Sequence, residues 1–249
     1  MLAPPLRGPG GLSPRQVQGG ALAVRVWERQ RLAQPPEAGL SSMPDDTCKT
    51  VDMSDRDVWT RLADLCFEAG MLRKTPRTGY QFLGSGAENV AEHSFRTAMI
   101  GFMLAHQAGA DPSRTMALCL FHDLPEARTG DLNYVNKLYN TADDRRALTD
   151  AVAGTGLEAP VVGLYDELEA NQTTEAALAH DADQLDLIAN LKEELDLGNR
   201  YARDWINAAV SRLRTDAGRR LAEALTTTDH TAWWVSGPDP SWWTRKKRP

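Results

Sequence analysis

Phe121-His122-Asp123-Leu124-Pro125-Glu126-Ala127-Arg128-Thr129-Gly130-Asp131 sets an imidazole and three carboxylates directly behind the apolar run Met116-Ala117-Leu118-Cys119-Leu120. Such a run reads as the buried end of a helix. An adjacent His and Asp at its polar edge can aim both side chains at one divalent cation. Glu126 falls about one helical turn after His122, on the same face. Pro125 lacks a backbone donor and should end or kink the helix just past Asp123. The stretch therefore predicts a metal site with a spare carboxylate beside it, as a metal-dependent hydrolase requires.

Upstream, Asp111-Pro112 opens the helix that delivers His122 and Asp123, with Asp111 as N-cap and Pro112 in the first turn. Gly109 closes the helix before it, which begins within Ala87-Glu88-Asn89-Val90-Ala91-Glu92-His93-Ser94-Phe95-Arg96 and runs apolar through Met99, Ile100, Phe102, Met103 and Leu104. The loop Lys74 to Gly86 contains a proline and three glycines, and it carries Arg77 and Tyr80. Ser54 is a candidate N-cap for an earlier helix, with Asp55 and Asp57 in its first turn and Gly70 at its end. Residues 1–50, rich in Pro, Gly, Gln and Ser, read as a disordered leader.

Downstream, Gly130 to Lys137 reads as loop at a pocket mouth. Helices are expected over Asp143 to Ala153 and Val161 to Ala170, separated by a break from Gly154 to Pro160. Another spans Glu175 to Leu195, and a further single helix spans Tyr201 to Leu225. Residues 227–249, with Trp233-Trp234, Trp242-Trp243 and Arg245 to Arg248, read as a disordered tail. No segment has the alternation of a strand and no repeat is visible, so the fold class is all-α. The folded domain is placed at 51–226.

At 249 residues the chain can bury a full core. A net charge of −6 argues against binding a nucleic-acid polymer, which needs a basic footprint. No apolar run is long enough for a bilayer span, and the N-terminus lacks the apolar core of a secretory signal. Cys48, Cys66 and Cys119 are scattered and odd in number, which suits reduced thiols in a cytoplasm.

The candidate metal ligands are His93, His122, Asp123 and one of Asp181, Asp183 and Asp186. Two imidazoles and two carboxylates suit a divalent Mn, Fe, Co, Ni or Zn ion. Of five histidines, His93, His122 and His180 all stand near acidic residues on expected core helices. Taken singly, each fits an ordinary residue paired with a neighbouring charge. The adjacent His-Asp pair with a carboxylate one turn later is what favours a metal. Three aspartates inside an Ala/Leu helix are also costly to bury without compensation.

Glu88-Asn89-Val90-Ala91-Glu92-His93, then His122-Asp123-x-x-Glu126 with Thr129-Gly130-Asp131, then Ala182-Asp183-x-Leu185 ahead of Glu193-Glu194-Leu195, resemble the HD-domain phosphohydrolases. Within them the pattern is similar to the 5′-deoxynucleotidases, over about residues 55 to 200. The resemblance implies an HD-domain helical bundle around a single divalent metal held by His93, His122, Asp123 and Asp183. It selects Asp183 over Asp181 and Asp186, which the helical period alone leaves open. It implies roles for Glu126 and Asp131 in handling water and leaving group, Arg77 as a phosphate-binding arginine and Lys137 as a second basic residue. Where bacterial deoxynucleotidases carry a tryptophan beside the arginine that helps to exclude ribose, this chain departs from the pattern and offers Tyr80 two residues further on.

The implied activity is removal of the 5′-phosphate from (deoxy)nucleoside monophosphates by a cytoplasmic homodimer. Two other outcomes are open from sequence: a phosphatase or triphosphohydrolase for a modified nucleotide, or a nucleotide-binding regulatory domain without turnover.

Overall fold

The computed structural model describes residues 56–236; the expected leader, residues 1–50, lies outside the described residues. The first helix, α1 (Val58–Ala69), is capped by Asp57, whose carboxylate accepts the N–H groups of Trp59 and Thr60. The helix thus starts later than the Ser54 reading expects, because Asp57 supplies the carboxylate at cap spacing and also takes the Thr60 hydroxyl. It is followed by a 3₁₀ turn (Gly70–Lys74), α2 (Tyr80–Leu83), α3 (Val90–Ala108), α4 (Pro112–Phe121), α5 (Glu126–Thr129) and a 3₁₀ turn (Asn136–Leu138). After these come α6 (Asp144–Val152), α7 (Glu158–Ala170), α8 (Thr174–Asp196), α9 (Ala202–Ser211), α10 (Asp216–Thr227) and α11 (Ala232–Val235). Among the described residues there is no strand, as the all-α expectation requires; Pro76 and Asn89 form an isolated bridge.

Local chemistry sets the ends of the two helices that carry the histidines. Asn89 and Glu92 exchange bonds as a capping box at the start of α3. Asp111 accepts the N–H groups of Ser113 and Arg114 at the start of α4, with Pro112 first in the helix. α7 begins at Glu158, inside the expected break; Pro160 sits in its first turn, where no intrahelical N–H bond is lost.

Two apolar clusters build the core. The larger joins α3, α4, α8, α9 and α10 through residues such as Ile100, Leu104, Leu118, Leu185, Ile188 and Leu191. The smaller gathers Leu72, Val90, Leu124, Leu148, Val152 and Val161. Phe121 packs against both. His122 and Asp123 lie in the chain between Phe121 and Leu124, so the ionisable residues sit at the seam of the two clusters. α3 and α4 approach so closely that a Cβ on Gly101 would lie 2.5 Å from Cys119 Sγ.

The stretch Tyr201 to Leu225 is two helices rather than the single one expected. Asp181, 1% exposed on α8, accepts the N–H groups of Arg214 and Thr215 and the Thr215 hydroxyl. Those donors are free only where the helix is interrupted, and Thr215 then caps α10. A Cβ on Gly218 would meet Asp181 Oδ2 at 2.3 Å, so glycine is what lets α10 start against this carboxylate. Within the expected tail, α11 and a His230 ring nitrogen 3.1 Å from Asp196 Oδ2 belong to the described residues, and 237–249 lie outside them.

Candidate metal centre and substrate pocket

The first turn of α3 places His93, fully buried. His122 ends α4, Asp123 follows in the turn that Pro125 terminates, and Asp183 comes from the middle of α8. The Nδ1 atom of His122 lies 2.6 Å from the Cys119 carbonyl, an acceptor, so Nδ1 carries the proton and donates. His93 Nδ1 stands 2.6 Å from Oδ2 of the buried Asp186 and donates likewise. Both imidazoles, when neutral, thus present Nε2 lone pairs to one point.

At that point His93 Nε2 and His122 Nε2 are 3.2 Å apart. Asp123 Oδ2 is 3.4 Å from the former and 3.1 Å from the latter. Asp183 Oδ1 is 3.2 Å from His93 Nε2. Atoms sharing one ion at about 2.1 Å are themselves roughly 3.0–3.4 Å apart, for octahedral and tetrahedral arrangements respectively. The donor set, two imidazole nitrogens and two carboxylate oxygens, fits a first-row divalent ion.

The electrostatics point the same way. Burial opposes charge on His93, yet hydrogen bonds to Asp123, Asp183 and Asp186 raise its pKa well above the usual imidazole value. Burial would raise Asp123 and Asp183, but the two histidines hold Asp123 well below the carboxylate range, and His93, His122 and Arg77 depress Asp183. The cluster demands positive charge.

The three aspartates of α8 point three ways. Asp181 holds the start of α10, Asp183 faces the imidazoles, and Asp186 backs His93 while pairing with Arg96. Arg96 and Asp186 were not singled out as a pair from sequence. Their only signal was the spacing of Arg96 three residues after His93.

The Pro76–Asn89 bridge, with Arg77 N–H donating to the Glu88 carbonyl at 2.9 Å, lays the Arg77 loop against the start of α3. The Arg77 guanidinium lies 3.1 Å from Asp123 Oδ2, 3.7 Å from Asp131 Oδ1 and 3.9 Å from Asp183 Oδ1. Burial works against its charge, but Asp123, Asp183 and Asp131 together raise its pKa, so it stays cationic. Asp131 Oδ2 accepts the Thr78 N–H at 2.6 Å, while the Thr78 hydroxyl donates to the Asp131 carbonyl and accepts from the Asn133 N–H. These bonds fasten the Arg77 loop to the segment after Gly130.

Glu126 opens α5 beside the cluster, and its buried Oε2 has no protein partner. Burial, then the charges of Asp123 and Asp131, push this carboxyl up to about 9; a cation at the cluster acts against those charges. Glu126 and the exposed Lys137 line the pocket in front of the cluster, with Arg77, Tyr80 and Asp131. The Tyr80 hydroxyl reaches toward Glu88 at 3.5 Å, and burial followed by Glu88 and Asp186 raises its pKa, keeping it a phenol. His93, His122, Asp123 and Asp183 therefore lie together, with Glu126, Asp131, Arg77, Lys137 and Tyr80 around the pocket in front of them. Sequence reading missed Trp205, which lines the same pocket from α9 and rests near Gly79, and Gln184, beside Asp183.

The chain is similar to known proteins. The family model described as HD domain matches residues 69–225. A 5′-deoxynucleotidase from Cronobacter sakazakii is 32% identical over 152 residues, covering 55% of this chain and 74% of that protein. A 5′-deoxynucleotidase from Xenopus laevis is 27% identical over 165 residues, covering 63% of this chain and 81% of that protein. Among solved structures, a conserved hypothetical protein from Pyrococcus furiosus superposes with a TM-score of 0.55 at 28% identity, covering 66% of this chain and 96% of the other.

Proposed function

Because the chain belongs to the HD-domain family, we propose that it is a metal-dependent phosphohydrolase that removes the 5′-phosphate from (deoxy)nucleoside monophosphates. One observation carries the reading: two imidazoles and two carboxylates converge at 3.1–3.4 Å with an arginine and an unpartnered acid beside them. His93, His122, Asp123 and Asp183 would hold the ion. When bound, a divalent cation there polarises a phosphoryl oxygen and acidifies water.

The protein's own groups do the rest. Arg77 offers a planar, two-pronged donor to the phosphate, which a lysine reproduces only as a point charge. Its contacts with Asp123 and Asp183 mean that a phosphate bound to it abuts the cluster. Glu126, whose Oε2 is free of other bonds, would orient the attacking water and, ionised once a cation offsets the charges of Asp123 and Asp131, take its proton. Asp131 steadies Arg77, and Lys137 adds positive charge at the pocket rim. Tyr80 lines the same pocket beside Gly79 and Trp205.

A homodimer is proposed with it. Phe95, Met99, Phe102 and Met103 of α3 are 45–69% exposed at helical spacing, an apolar stripe that a second copy would cover. No helix among the described residues is long and apolar enough to cross a membrane, and unpaired Cys66 and Cys119 suit a cytoplasmic site of action.

Phosphate release from ribo- and deoxyribonucleoside mono-, di- and triphosphates, with Mn, Co, Ni or Zn supplied in turn, tests this. Release from deoxynucleoside monophosphates with one of these metals is expected. Release only from triphosphates would replace the substrate, and silence across the panel would leave a binding domain.

A further inference from the structure

A side chain at the break that divides α9 from α10 is linked, through Gln184, to the candidate metal centre. Arg212, at the C-cap of α9, donates from Nε to Oε1 of Gln184 at 2.6 Å. Gln184 in turn donates from Nε2 to Oδ2 of Asp183 at 2.8 Å. The guanidinium also lies over the ring of Tyr134, 5.7 Å from its centroid, in the segment at the pocket mouth. Arg212 and Gln184 fall outside every residue set that the sequence pattern assigns.

The chemistry of the donors fixes the direction of this chain. The two ends of a glutamine amide differ in role but hardly in shape, so its orientation is set by its partners. Arginine can only donate, so Arg212 draws Oε1 to itself and turns the amino end toward Asp183. Without Arg212 the amide can flip and set Oε1 against a carboxylate, two acceptors facing each other. With it, Asp183 Oδ2 is occupied, and Oδ1 is the oxygen that remains toward His93 and Arg77.

We infer that Arg212 is a positioning residue: acting through Gln184, it orients the Asp183 carboxylate for the cation, and through Tyr134 it ties the pocket mouth to the same helix break. The inference rests on the metal-centre reading above. Asp181, one turn before Gln184 on α8, holds the backbone of this break through Arg214 and Thr215. One helix face thereby places both the backbone and the side chain of the connection.

The test is Co²⁺ affinity of the full chain, measured by competition with a chromophoric chelator, alongside the melting temperature of the metal-free protein. Gln184→Met and Arg212→Ala are each expected to weaken Co²⁺ binding by about tenfold, the scale of groups that orient metal ligands. The double variant should bind as Gln184→Met alone, because the hydrogen-bond chain from Arg212 to Asp183 runs through Gln184. Tyr134→Leu should keep wild-type Co²⁺ affinity. Metal-free melting temperatures should stay close together, since Arg212 is exposed. Wild-type affinity in Arg212→Ala, or losses that multiply in the double variant, would overturn the inference. A wild-type protein that binds no Co²⁺ would instead remove the functional reading beneath it.

Discussion

His93 Nε2 and His122 Nε2 face each other at 3.2 Å, each ring held from behind by its own Nδ1–H bond, one to Asp186 and one to the Cys119 carbonyl. Neutral rings cannot hydrogen-bond in that orientation, because each presents a lone pair. Positive charge between them resolves the conflict. That pair of atoms ties the buried carboxylate of α8 to the chemistry at the end of α4.

His122→Ala and Asp123→Ala are each expected to lower bound metal to well under one ion per chain and to abolish phosphate release. Elemental analysis of the purified variants, next to a phosphate assay, checks both. The wild type should also melt at a higher temperature with metal than after chelation, since an ion that binds only the folded state stabilises it.

Glu126→Gln keeps the size of the side chain and removes its capacity to accept a proton. Turnover should fall by about 10²-fold or more while metal content stays at the wild-type level. Loss of metal in this variant would assign Glu126 to the ion rather than to water.

Arg77→Lys keeps the charge and loses the fork. The Michaelis constant for a nucleoside monophosphate should rise about tenfold, with a smaller change in kcat, because the phosphate contact exists before the chemical step. Steady-state kinetics with one substrate decide it; a wild-type KM would detach Arg77 from the phosphate.

Asp181→Ala strips the acceptor from two backbone N–H groups and a hydroxyl at the start of α10. Leaving buried donors unmatched should cost about 3 kcal/mol of stability. Gly218→Ala should destabilise as well, since its methyl would collide with the Asp181 carboxylate. Urea unfolding of both variants measures these losses.

The candidate ligands His93, His122 and Asp123 were legible in sequence because they come with local punctuation. Asn89 and Glu92 cap the helix of His93, Asp111-Pro112 starts the helix of His122, and Pro125 stops it just past Asp123. The choice among Asp181, Asp183 and Asp186 was not legible from spacing. At about 100° per residue these positions point in three directions, and only the neighbours reveal which direction holds imidazoles. The split of Tyr201–Leu225 was hidden for a related reason. Its cause is a carboxylate some thirty residues earlier, and an amphipathic pattern continues across the break. Trp205, Gln184 and Arg212 carried no motif because their roles come from the packing of α9 onto α8.

The knot of Thr78, Asp131 and Asn133 makes the two walls of the pocket a single plate instead of a pair of independent flaps. Opening must then swing both walls or neither. Deuterium uptake at the Thr78 and Asn133 amides should accordingly rise and fall in step, and a bound nucleotide that shields one should shield the other.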